Sequence, residues 1–282
     1  MPFEISIQEA QTRFPDLNFI AKLTPSEQKA AFHVVNPNGD HLCLKIIAPH
    51  YDMARLNREI HALQTIDHPN VASLKEYVFS SKNGQQEHYL IEEYIEGSDL
   101  TSMLSSPWAL DDTVVFFSQL CNGLEVLRNS HIVHRDLKPS NIRVNNSGEP
   151  VIIDFGLARH LNLPDITHTV QGARIGTPLY FAPEQFRGTK RDIDHRTDLF
   201  ALGVLIFQAI TGEHPFYRVQ MKMKELEDSV CESIIYRSNT IFMSLDSKFQ
   251  LLINKLLEKQ RVDRPSSASQ VANILTVIGR SV

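Results

Sequence analysis

The chain has 282 residues, 42% of them hydrophobic and 22% charged, with 12 Gly and 14 Pro. That make-up excludes a disordered polar chain and a collagen-like repeat and can enclose a sizeable core. Lys plus Arg total 28 against 33 Asp plus Glu, for a net charge of -5; with no basic face to displace counterions from phosphates, nucleic acid is not expected as a partner.

The start, Met1-Pro2-Phe3-Glu4, lacks the basic and then apolar run of a signal peptide. The longest uncharged apolar stretch, Phe200 to Ile210, has eleven residues, too few to cross a bilayer. Cys43, Cys121 and Cys231 are odd in number and widely spaced, which predicts reduced thiols rather than a disulfide framework or a zinc site. A cytoplasmic protein with no membrane segment in this chain is expected.

Short apolar runs separated by turn signals predict strands over Leu17 to Leu23, Ala30 to Val35 and Leu42 to Ile47, with Asn38-Gly39 as a hairpin turn. Met53, Leu56, Ile60 and Leu63 recur at helical spacing and predict an amphipathic helix that stops before His68-Pro69. Two more strands are predicted around Leu74 to Phe79 and His88 to Tyr94, joined through Asn83-Gly84. The first part is therefore a β-rich lobe with one helix.

From Gly97 the pattern turns helical. Asp111-Asp112 is placed to cap a helix bearing Val114, Phe117, Leu120, Cys121, Leu124 and Leu127, and the chain closes on Val271, Ile274, Leu275 and Ile278 at one-face spacing. Between these helices lies a long polar middle, Ile132 to Glu184, of the kind that carries function.

That middle holds His134-Arg135-Asp136-Leu137-Lys138-Pro139-Ser140-Asn141; thirteen residues after Asn141 comes Asp154-Phe155-Gly156, and Ala182-Pro183-Glu184 follows. In these three motifs, in this order, the sequence resembles the eukaryotic-like (Hanks-type) serine/threonine protein kinases of bacterial type. The resemblance runs from about Leu17 to about Ile278. It implies an α+β, two-lobed protein kinase fold forming a single domain, with a small antiparallel β lobe (1–94) and a larger α-rich lobe (95–282), and ATP in the cleft.

The implied activity is transfer of the ATP γ-phosphoryl group to Ser/Thr hydroxyls of protein substrates, including this chain itself in trans. Such chemistry needs positioning, divalent cations and a group to receive the hydroxyl proton. The resemblance gives Asp136 the proton-accepting role, Lys138 a place on the phosphates, and Asn141 and Asp154 the oxygen ligands of Mg²⁺. It gives Lys45 the α and β phosphates, oriented by Glu59 fourteen residues on. Leu63, Leu74, Phe155 and His134 match the family's stacked spine, Asp198 its buried loop-fixing aspartate, and Glu184 with Arg264 its buried ion pair.

Lys138 and Thr177 match what serine/threonine kinases carry, so Thr177 is expected in the substrate platform. Thr167 and Thr169 are expected as regulatory phosphosites of an activation loop, where phosphate would pair with Arg135. The nucleotide is expected to lie against Leu23, Thr24, Ser26, Lys29, Ala31, Cys43, Lys45, Glu92, Glu93, Ile95 and Arg143.

One feature departs from the family. The connection Leu23 to Phe32 contains no glycine, with Thr24, Ser26 and Lys29 at the positions where three glycines would admit backbone amides to the phosphates. Ser26 and Lys29 offer a hydroxyl and a charge instead, and Glu92 puts a carboxylate at the back of the base pocket, where it needs a partner or a raised pKa. The alternative function is a pseudokinase acting as a nucleotide-binding or scaffolding module.

Overall fold

The structure is a computed structural model that describes residues 2–26, 28–64, 66–82, 85–155, 159–160, 178–188 and 192–280. The chain divides into two compact units, one formed by Met1–His68 with Ala72–Ile95 and the other by Pro69–Val71 with Glu96–Val282.

The smaller unit is built on a five-stranded antiparallel sheet of β1 (Asn18–Lys22), β2 (Lys29–Val35), β3 (His41–Ile47), β4 (Leu74–Lys82) and β5 (Gln85–Glu93), in the order β1-β2-β3-β5-β4. The β2–β3 hairpin is set by its turn: Asn36 Oδ1 accepts the amides of Asn38 and Asp40, and Gly39 takes a φ of 88° that L side chains avoid.

Alternation along these strands sends Phe32, Val34, Leu44, Ile46 and Tyr89 to one face, where they form a core with Ile5 and Ala10. Ala10 lies on α1 (Ile7–Arg13), which Ser6 caps by accepting the Glu9 amide at 3.1 Å. This short helix was not foreseen, because seven residues with one buried position carry no readable periodicity. The predicted amphipathic helix is α2 (Met53–Gln64); Leu56 and Ile60 pack with Ile47, Tyr51 and Leu90 in a second cluster. Fully burying a side chain of this size contributes about 1.5–3 kcal/mol.

The larger unit is helical, with short strands β6 (Ser98–Asp99), β8 (Ile142–Val144) and β9 (Pro150–Ile152) in one sheet and β7 (Ile132–Val133) in another. Its main helices are α3 (Leu110–Asn129), α4 (Pro183–Arg187), α5 (Arg196–Thr211), α6 (Met223–Glu232), α7 (Thr240–Ser244), α8 (Ser247–Leu256) and α9 (Ala268–Gly279). The run Phe200 to Ile210 falls in α5, which is apolar nearly all round and correspondingly buried. Asp111 and Asp112 sit in the first turn of α3, after an Ala109 N-cap that makes no side-chain bond, so they favour the helix through its positive end rather than by capping. Among the described residues no helix is long and apolar enough to cross a membrane.

Candidate active site

The motif residues of the larger unit lie on the loop after β7, which is held by a buried carboxylate. Asp198, in the first turn of α5, accepts the amide of His134 at 2.8 Å and that of Arg135 at 2.9 Å. Pinning both amides fixes the loop where Arg135 takes a φ of 67°, a region costly for a long side chain. Burial pushes the Asp198 carboxyl up from its ordinary value, opposed by His134 and the two amide bonds. Gln185 Nε2 donates to the Arg135 carbonyl at 2.8 Å, and its Oε1 accepts the Ala182 amide, tying α4 to the same loop.

Three predicted site residues meet on this loop. Lys138 Nζ lies 2.8 Å from Asp136 Oδ2, and Asn141 Nδ2 donates to the same oxygen at 3.0 Å and to the Asp136 carbonyl at 2.8 Å. Both donors converge on Oδ2. Because the Asn141 NH₂ is engaged by Asp136, its Oδ1 is the atom left to act as a ligand, as a hard-cation site requires.

Asp154 has a φ of 62° and follows Ile153, whose amide donates to the Asn141 carbonyl at 2.9 Å. The fit is therefore good: Asn141 and Asp154 are oxygen donors, and backbone hydrogen bonding links the segments that carry them. Phe155 is buried and meets the His134 ring edge-on at 5.1 Å, while His134 Nε2 bonds the Ile153 carbonyl. Arg143, expected under the base, projects its guanidinium to the Gly97 carbonyl. Gly97 has a φ of 125°, and a Cβ there would meet the Val144 carbonyl oxygen at 2.0 Å.

Glu184 and Arg264 form the ion pair foreseen, bidentate at 2.8 Å on each arm, with Thr197 Oγ1 donating to Glu184 at 2.9 Å. Thr167, Thr169, Thr177 and Gly156 lie outside the described residues.

In the smaller unit, cross-strand register puts Ala31 opposite Lys45 and Cys43 opposite Glu92, so these four share one sheet face with Lys29. On that face the lysines and carboxylates meet in an order that the sequence did not disclose. Lys29, at the third missing-glycine position, forms a buried ion pair with Glu59, and Tyr51 Oη donates to the other Glu59 oxygen at 3.4 Å. Lys45 Nζ lies 2.7 Å from Glu92 Oε2. The carboxylate flagged as needing a partner has one, although its Oε1 is buried with no hydrogen-bond partner among the described residues.

Leu23 continues from β1, its amide bonded to the Ala31 carbonyl; Thr24 and Ser26 are exposed. Ser26 Oγ accepts the amides of Gln28 and Lys29. The Glu93 amide is bonded to the Ser73 carbonyl, and Ile95 closes this unit. Tyr51 and Gln185 were missed, and no motif marks either; only the register of neighbouring elements finds them.

Residues 29–275 match the protein kinase domain family. The chain belongs to that family. This protein kinase chain is 32% identical over 252 residues to serine/threonine-protein kinase Pkn1 of Myxococcus xanthus, covering 85% of this chain and 34% of that protein. It is 34% identical over 230 residues to serine/threonine-protein kinase pkn3 of the same organism, covering 77% and 40%. Against serine/threonine-protein kinase ULK3 of Mus musculus it is 33% identical over 219 residues, covering 74% and 42%. The chain thus spans between a third and about two fifths of the length of these relatives.

Proposed function

We propose that this kinase domain transfers the γ-phosphoryl group of ATP to serine or threonine hydroxyls of proteins, with Mg²⁺ as its cation. The observation that carries the reading is the Asp136 cluster: one carboxylate oxygen held by Lys138 and Asn141, on a loop pinned by Asp198.

In this reading Asp136 Oδ1 receives the acceptor's hydroxyl proton. The acceptor oxygen forms a bond to Pγ as the bond from Pγ to the β–γ bridging oxygen breaks, and ADP leaves with that electron pair. Lys138 steadies Asp136 and lies where its ammonium can meet the negative charge spread over the transferring group. Asn141 and Asp154 would hold the cation, which when bound neutralises phosphate charge. The smaller unit supplies the base site through Ala31, Cys43 and the Glu93–Ile95 backbone, and the ammonium groups for the phosphates.

Thr167 and Thr169 are proposed as sites the kinase phosphorylates on its own kind, and Thr177 as part of the surface that receives the acceptor peptide. Incubation with γ-labelled ATP and a protein acceptor should label serine and threonine, and chelation of divalent cations should abolish the label. ATP binding without any transfer would favour a pseudokinase instead.

A further inference from the structure

Glu92 carries a buried acceptor with no donor. The residue is 3% exposed. Its Oε2 lies 2.7 Å from Lys45 Nζ, and its Oε1, among the described residues, has no hydrogen-bond partner. Paired with an ammonium, the group is a carboxylate, which accepts hydrogen bonds at both oxygens and donates none. A buried acceptor without a donor is destabilising, so this site favours a ligand that brings an N–H to that oxygen.

Sheet register says what kind of ligand can do so. Glu92 stands opposite Cys43 on β3, and Cys43 lies two residues before Lys45, whose partner on β2 is Ala31. Glu92 therefore rises from the same face as Ala31 and Cys43. Those two are short side chains and half-buried, so a flat ring lying on them meets the more deeply buried carboxylate at its inner edge. Glu92 also directly precedes Glu93, where the backbone assigned to the base begins. Adenine presents an exocyclic amino group with two N–H donors. One goes to that backbone, and the second is left for Oε1. Guanine presents a carbonyl at the same position, acceptor against acceptor, and unsubstituted purine presents only a C–H.

We propose that Glu92 is a specificity-determining residue of the nucleotide site: its Oε1 accepts the second N–H of the adenine amino group, and the same oxygen rejects guanine. The proposal rests on the ATP site assigned above and adds how that site tells its base from others.

The test uses the full chain with Mg²⁺ and wild type, Glu92→Gln and Glu92→Leu. ATP, GTP and purine riboside triphosphate, which lacks the amino group, compete against a fluorescent nonhydrolysable ATP analogue. Either substitution also takes a partner from Lys45 and so weakens every triphosphate alike; the readout is therefore the ratio of affinities within one protein. Wild type should bind ATP on the order of 100-fold more tightly than either competitor, since a hydrogen bond to a charged group contributes a factor of about ten or more. Glu92→Leu should cut the ratio of ATP to purine riboside triphosphate at least ~10-fold. Glu92→Gln can turn an amide N–H to the guanine carbonyl and should cut the ratio of ATP to GTP at least ~10-fold.

A wild-type ratio of ATP to purine riboside triphosphate below about 3, or either variant ratio within about 3-fold of wild type, would overturn the proposal. Loss of all nucleotide binding in both variants overturns it too, since Glu92 then serves only Lys45 and the fold. The ratios need no turnover: with them intact and phosphate transfer absent, the kinase reading fails and the role of Glu92 stands. Wild type that binds none of the three overturns both.

Discussion

Replacing Arg264 by methionine puts the larger unit's buried ion pair to a quantitative test. The Arg264 side chain is 0% exposed and that of Glu184 6%. Arg264 also donates to the carbonyls of Glu258 and Arg196, each at 2.9 Å, and its guanidinium lies 4.9 Å from the Phe200 ring centroid. Arg264→Met fills a similar volume but leaves Glu184 buried with the Thr197 hydroxyl at 2.9 Å and no cation. Stranding such a charge costs about 3–5 kcal/mol. At about 2–4 °C per kcal/mol for a protein of this size, the melting temperature should fall on the order of 10 °C.

The double variant Glu184→Leu/Arg264→Met removes the stranded charge and should recover most of the loss. About 1–2 kcal/mol should remain missing for the two carbonyls left without donors. Thermal melting of the four proteins followed by circular dichroism gives the cycle directly. A fall below about 3 °C for Arg264→Met, or a double variant no more stable than that single, would refute the reasoning.

Three further outcomes follow from the same geometry. His214 Nε2 bonds the Leu179 carbonyl while Nδ1 accepts the amides of Phe216 and Tyr217, and burial lowers its pKa from 6.5 to about 4. The unfolded chain therefore takes up a proton that the folded one refuses, and stability falls as pH drops from about 6.5 to about 4, by ~3 kcal/mol in all; urea unfolding across that range should show the slope in wild type and its loss in His214→Leu. Asp198→Asn keeps an acceptor for only one of the His134 and Arg135 amides and turns an NH₂ toward the other, so kcat should fall more than ATP affinity in steady-state kinetics. Gly97→Ala demands both a φ of 125° and space occupied by the Val144 carbonyl, and should lose at least ~2 kcal/mol in denaturant unfolding.

Much of this was legible because it is local. Period-two alternation and Asn38-Gly39 gave the β2–β3 hairpin, the spacing of Leu56, Ile60 and Leu63 gave α2, and the motif around Asp136 gave the loop that Asp198 pins. What was not legible depends on which strand lies beside which. Lys45 and Glu59 were matched by their order in the chain. Yet Glu92 is the residue opposite Cys43, a diagonal neighbour of Lys45, so the Lys45–Glu92 pair follows sheet register, while Lys29–Glu59 joins the adjoining strand to α2, and neither pair is marked by a motif. The consequence of the missing glycines was equally hidden, since Ser26 can close the connection only once Gln28 and Lys29 fold back over it. Nor did the sequence signal that Arg143, whose aliphatic stem is expected under the base, would send its guanidinium to the Gly97 carbonyl.

The most direct measurement is phosphate transfer from γ-labelled ATP to protein serine or threonine by wild type and Asp136→Asn at saturating Mg²⁺ and ATP. Wild type should label the acceptor, and Asp136→Asn should lower kcat on the order of 10²–10⁴-fold while binding ATP nearly as well. Transfer undiminished in Asp136→Asn, or wild-type protein that binds ATP and moves no phosphate, would contradict the role given to that carboxylate.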